Sequence, residues 1–114
     1  MAITETTGNP LSNILASEQY EIRTKAFESD VVGYEHGEML QLVDGVFTKV
    51  TDFTNEEVAG ICYGAVDATK VQGSVLLRGA VFAEDLKGWS TLTTAQKNKI
   101  IGDTRICNIY VENK

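Results

Sequence analysis

The dipeptide Asp44-Gly45, set between two apolar stretches, limits what this chain can fold into more than any other feature. Met39 to Val43 and Val46 to Val50 flank it directly. Asp-Gly readily takes the positive φ that both central residues of a type I′ turn require, so the segment predicts a two-residue β-hairpin. A lone hairpin is marginal in water and needs further strands or a helix to cover it. The sequence supplies both. Val58 to Val66 is rich in small and β-branched residues and ends in a turn at Asp67-Ala68-Thr69. Ser74 to Phe82 (SVLLRGAVF) reads as a strand with Gly79 as a bulge or close-approach point. Thr93-Thr94-Ala95-Gln96 has the form of a capping box, opening a helix that runs to about Ile101 with Gly102 at its end. Arg105 to Val111 alternates as a last strand. Residues 18–38 alternate only loosely, through Tyr20, Ile22, Val31, Val32 and Tyr34, and predict loop with one or two short strands. The fold class expected is α+β: a small mostly-β domain with one or two short helices and an extended N-terminal arm.

Size and composition agree with one such domain. A chain of 114 residues has room for a single unit, and at that length roughly 65% of the unfolded surface is buried on folding. Hydrophobic residues at 43% and charged residues at 23% match ordinary globular usage, which excludes wholesale disorder. No apolar run approaches the roughly 20 residues of a membrane-spanning helix, and the start lacks a basic-then-apolar signal peptide. Two cysteines are too few for a disulfide scaffold. A net charge of -6 argues against direct binding to nucleic acid or anionic lipid. The expectation is a soluble, acidic, intracellular domain.

The acidity is uneven. Residues 1–38 carry seven acids and two bases, whereas residues 39–114 carry nine acids and eight bases. The first 17 residues hold a single charge, Glu5, seven Ser, Thr or Asn residues, and the chain's one proline, Pro10. Pro10 lacks an amide proton and pushes Asn9 toward extended geometry. So polar a stretch buries too little surface to offset its own ordering entropy. It reads either as a frayed terminus or as an arm that folds onto a partner. The division adopted is residues 1–20 as an extended arm, with Ile3, Pro10, Leu11, Ile14 and Leu15 as contact residues, and residues 21–114 as the compact domain.

Catalytic chemistry needs a nucleophile, a base and a charge-binding group placed together, and no such set is legible. The single histidine, His36, lies in glycine-flanked loop and reads as an exposed loop residue. Cys62 and Cys107 each fall inside a predicted strand and read as buried thiols acting as small hydrophobes. Glu84-Asp85 and Asp67 read as solvated turns. Gly60, Gly64, Gly73 and Gly79 match neither phosphate-loop pattern. Trp89, the only tryptophan, and Leu86 read as core or subunit-interface residues. The expectation is no enzyme, no metal and no cofactor.

From Ala59 onward an ordered run of motifs carries a resemblance. It comprises Ala59-Gly60-Ile61-Cys62, then Ala65-Val66-Asp67-Ala68-Thr69, then Val75-Leu76-Leu77-Arg78-Gly79-Ala80-Val81-Phe82, then Leu86 and Trp89, the Thr94-Ala95-Gln96-Lys97 helix and the strand Ile106 to Val111. Their order and approximate spacing resemble the head decoration (capsid cement) protein family of lambda-like tailed bacteriophages, over roughly residues 39–114. Two positions depart: Ser90 and Arg105 stand where members often carry proline after the tryptophan and glycine before the last strand. The resemblance implies a non-enzymatic structural protein, made in the host bacterial cytoplasm and placed on the outer surface of the virion capsid. It implies homotrimers on the major capsid protein at three-fold and quasi-three-fold positions of the expanded head, reinforcing the shell against packaged DNA. The competing expectations are another virion subunit of tail or neck, or a small β-rich ligand-binding module.

Overall fold

The computed structural model describes residues 20–113; the expected arm, with Ile3, Pro10, Leu11, Ile14 and Leu15, lies outside them except for Tyr20. Among the described residues, six strands and one helix follow in the order β1 (Glu21–Ala26), β2 (Met39–Val43), β3 (Val46–Lys49), β4 (Gly60–Cys62), β5 (Gln72–Phe82), α1 (Thr94–Ile106) and β6 (Ile109–Glu112), with 3₁₀ turns at Ala83–Asp85 and Trp89–Thr91. The sheet runs β1-β5-β4-β2-β3 through antiparallel pairs. β6 instead joins the second half of β5 in parallel, Gly79 opposite Ile109 through Phe82 opposite Glu112. The fold is therefore a small, mostly antiparallel β domain with one helix. Among the described residues no helix is long and apolar enough to cross a membrane.

The hairpin forms as its turn chemistry dictates. Asp44 and Gly45 have φ of 53° and 80°, and Val43 pairs with Val46 across them.

Successive residues of the central strands point to opposite faces, and both faces are covered. Met39, Ile61 and Leu76 enter one cluster with Val58, Val81, Leu86, Ile100 of α1 and Ile109 of β6. Their neighbours Leu40, Cys62 and Val75 enter a second cluster with Phe27, Tyr34, Phe47 and Val66. Both faces of β5 near its middle are apolar, which is why SVLLRGAVF is apolar apart from Ser74 and the exposed Arg78. The sheet also curls toward closure: Phe27, just past β1, bridges Phe47 of β3, and Glu28 N–H donates to the Phe47 carbonyl at 2.9 Å.

Four sequence expectations are corrected. The bulge falls at Leu77, since Glu21 opposes Arg78 while Ile22 opposes Leu76. Gly79, with φ of 140°, instead marks where β5 exchanges antiparallel partners for parallel β6. The strand expected over Val58 to Val66 shrinks to Gly60–Cys62, with Val66 making one bridge to Tyr34. The helix opens on the expected capping box, the Thr93 hydroxyl and Gln96 side chain each accepting the other's backbone N–H, but it continues through Gly102 to Ile106. Burial of Ile100 and Thr104 against the sheet holds the added turn, and Asn108, at φ 65°, takes the left-handed conformation expected of Gly102. Cys107 thus caps a helix, and Arg105 lies within α1, so the residue preceding the last strand is Asn108.

Candidate functional site

The fold lays the loop carrying His36 against both the segment after β4 and the Glu84-Asp85 turn: Gly37 N–H donates to the Cys62 carbonyl at 2.9 Å, and a Cβ at Gly37 would lie 2.7 Å from the Asp85 carbonyl oxygen. His36 is half-buried, contrary to the exposed loop residue expected, because the loop carrying it packs on the segment after β4. Its Nδ1 accepts the Gly64 N–H at 2.8 Å, and its ring meets Tyr63 edge-on at 5.1 Å. Cys62 and Cys107 are both free thiols. Cys62 is fully buried on β4, and burial, assisted by the Glu38 charge, pushes its thiol up to about 12. Half-buried Cys107 is raised in the same direction, chiefly by burial. A thiol so held is a poor nucleophile, because the thiolate is the reactive form. Glu84 is exposed and Asp85 half-buried in the 3₁₀ turn, while Asp67 is exposed in the turn before β5. Among the described residues no three His, Cys, Asp or Glu side chains gather as metal ligands.

Carboxylates elsewhere serve the backbone. Asp52 accepts from the Asn55 side-chain amide at 2.9 Å and from the N–H groups of Thr54 and Asn55, and these bonds hold its carboxyl below the usual range. Glu56 accepts from the Thr51 and Asp52 N–H groups, with the same result. Lys99 donates to Asp103 at 2.7 Å, an i,i+4 pair along α1.

A shallow concavity of about 570 Å³ lies between β1, the start of β5 and the segment preceding it, with Thr24, Asp67, Lys70, Val71 and Ser74 in its lining. Hydroxyls are present there, but among the described residues neither histidine nor cysteine borders it.

What the surface does present is apolar. Leu86 is 2% exposed and belongs to the core, and Trp89 packs half-buried against the same cluster with Lys97 Nζ 5.6 Å from its ring centroid. Among the described residues, the large apolar side chains that face solvent are Val31 and Val32 on a turn, Leu42 and Val43 beside the hairpin tip, Val71, and Ile106 with Tyr110 near the C-terminus. Val31 and Val32 stand out at 94% and 77% exposure. In the sequence this pair reads only as part of a loosely alternating stretch. The signal that marks it is local: Asp30 and Gly33 bracket the valines at the first and fourth positions of a β-turn, where those residue types are favoured.

β1 is the element into which residues 1–19 lead. Arg23, Thr24, Lys25 and Ala26 are exposed along it, and Tyr20 packs onto the first cluster. Tyr20 thus leads into a strand whose neighbour in the sheet is β5. No family model matches this chain, and no match is found among curated proteins.

Proposed function

We propose that the protein is a capsid decoration protein of a lambda-like tailed phage, a non-enzymatic cement that sits on the outer surface of the expanded head as trimers and braces it against DNA pressure. One observation carries the reading. Part of the run that bears the resemblance to that family builds the framework of this domain. Ile61 and Cys62 of β4, and Val75 and Leu76 of β5, cross both clusters. Val66 opens the Asp67-Ala68-Thr69 turn and bridges Tyr34, Leu86 fills the core, and Gln96 closes the capping box. Motifs at such positions bear on a fold, not on a reaction, and the family they resemble acts by binding.

In this reading the partner is the major capsid protein, and residues 1–20 are the arm that engages it. A nearly uncharged, Thr/Asn-rich segment suits addition to an exposed sheet edge, where main-chain bonds supply affinity and alternate side chains supply fit. The test is to mix purified protein with expanded and with unexpanded heads and quantify what sediments with each. Saturation at a fixed number of copies per facet, on expanded heads alone, is the expected result. Binding to neither, or binding to isolated tails instead, overturns the reading.

A further inference from the structure

We infer that the turn Asp30–Gly33 is a docking knob, which places Val31 and Val32 in an apolar pocket rimmed by Lys or Arg side chains on a subunit of the shell. The inference rests on the decoration reading and names a second contact, separate from the arm.

The fold accounts for the ends of this turn and not for its middle. Gly33 N–H donates to the Asp30 carbonyl at 3.0 Å, and Val32 N–H donates to Asp30 Oδ1 at 3.0 Å. Gly33 has φ of 73°, and a Cβ there would lie 2.4 Å from the Val66 carbonyl oxygen. Asp30 and Gly33 are therefore required where they stand. The two central positions accept most residues, including polar ones, and β-branched side chains have no conformational advantage in a turn. Both are valine, and both are nearly fully exposed.

The turn is also held stiffly. Tyr34 and Val66 exchange backbone bonds at 2.8 Å each, and the Tyr34 hydroxyl donates to the Glu28 carbonyl at 2.6 Å. Lys49 Nζ reaches in from β3 to donate to the Gly33 carbonyl at 2.9 Å, and lies 3.6 Å from Asp30 Oδ1. Apolar side chains on a pre-ordered support lose little further entropy on burial, the property of a binding anchor.

Charge selects the partner. Around the turn stand three carboxylates, exposed Glu28, Asp30 and Glu35, whose side chain is 70% exposed, against two lysines, Lys49 and Lys87. Lys49 is turned inward to the turn, and Lys87 is engaged by Glu35 at 3.1 Å. An apolar tip with one carboxylate in excess around it fits an apolar pocket with a basic rim. A second copy of this chain, itself at net charge -6, is the poorer complement.

The experiment compares wild-type protein with Val31→Ser/Val32→Ser for binding to expanded heads assembled from the capsid protein encoded with this chain. Burial of one valine corresponds to about a tenfold change in Kd, so the double variant is expected to bind roughly 100-fold more weakly. Val71→Ser, at an exposed valine elsewhere, is expected to bind as wild type. Val31→Thr/Val32→Thr keeps the branched shape and guards against a folding defect; it too is expected to bind more weakly with an unchanged melting temperature. Glu28→Lys is expected to weaken binding at low salt. If wild type fails to bind heads, the decoration reading falls. If wild type binds and both valine double variants match it, the knob falls while that reading stands. If the double variants lose self-association, measured by sedimentation without heads, the valines belong to a contact between copies and the shell pocket is overturned.

Discussion

At the scale of single residues, two positions carry consequences beyond their neighbours. Gly33 occupies backbone space that no side chain fits, so Gly33→Ala meets both the left-handed penalty, about 1–2 kcal/mol, and collision with the Val66 carbonyl at 2.4 Å. The variant is expected to lose at least about 2 kcal/mol in urea unfolding. Cys62 gives a pH dependence. Its thiol rises from an ordinary 9.0 to about 12, so the folded state favours the neutral form. The stability this represents is intact below pH 9 and is lost as pH climbs from there toward 12. Each tenfold difference in proton affinity between folded and unfolded chain is worth about 1.4 kcal/mol, so the alkaline loss amounts to several kcal/mol. Tyr34 and Tyr63, each raised chiefly by burial, act in the same direction. Unfolding followed from pH 8 to 11 should show stability level to about pH 9 and falling above it, and Cys62→Ala should flatten the slope. At pH 8 iodoacetamide should modify Cys107 before Cys62, with Cys62 reacting at the rate of global opening; equal rates would contradict the burial argument.

At the scale of elements, α1 offers the most direct test. Gly102 lies inside the helix, on its exposed face, with nothing within 4 Å of where a Cβ would be. Gly102→Ala is therefore expected to stabilise the protein by about 0.5–1 kcal/mol, by removing backbone freedom from the unfolded chain and restoring helix propensity. Thr93→Ala removes the cap that accepts the Gln96 N–H at 3.1 Å and should cost about 1 kcal/mol. Thermal melts of the two variants should move in opposite directions. The same helix shows what is legible in the sequence. Its start is readable because a capping box is a four-residue, local arrangement, and the Asp44-Gly45 hairpin is readable for the same reason. Its end is not. Gly102 carries a stop signal that the burial of Ile100 and Thr104 overrides, and the true stop is Asn108, a residue that takes the left-handed conformation less readily than glycine. β4 shortens to three residues because its length depends on what β2 and β5 offer beside it, and the parallel pairing of β6 depends on where α1 delivers the chain. Such features belong to tertiary contacts between distant segments. The Val31–Val32 turn is legible in principle through Asp30 and Gly33, but exposure is a property of the folded surface.

At the scale of the whole molecule, the arrangement suits a ligand of a lattice. Two apolar clusters on opposite faces of one sheet, with the sheet's edges drawn together at Phe27 and Phe47, give a domain whose interior is filled by its own side chains. Its proposed contacts flank β1 in the chain: the proposed arm precedes it, and the Asp30–Gly33 turn follows it. The six residues of β1 and the short segment after it lie between these two points. Two separate attachments fix orientation, and the proposed trimer would repeat them, so later contacts would become intramolecular and avidity could rise by roughly 10² to 10⁴. A ligand that binds only the intact expanded shell stabilises it by RT ln(1 + [L]/Kd), about 2.7 kcal/mol at a hundredfold excess over Kd. Selectivity for expanded heads requires that the sheet edge, or the spacing between sites, exist only in that state. The expected outcome is that saturating protein raises the temperature at which DNA-filled heads release their DNA. Protein lacking residues 1–17 should melt as the full chain does, because residues 20–113 by themselves form two apolar clusters across one sheet, yet should leave the release temperature near that of bare heads. Fluorescence of a DNA dye during heating reads the release, and circular dichroism of the free protein reads the melt. An unchanged release temperature at saturation removes the cement role, and full protection by the truncated protein removes the arm from it while leaving the knob as the principal contact.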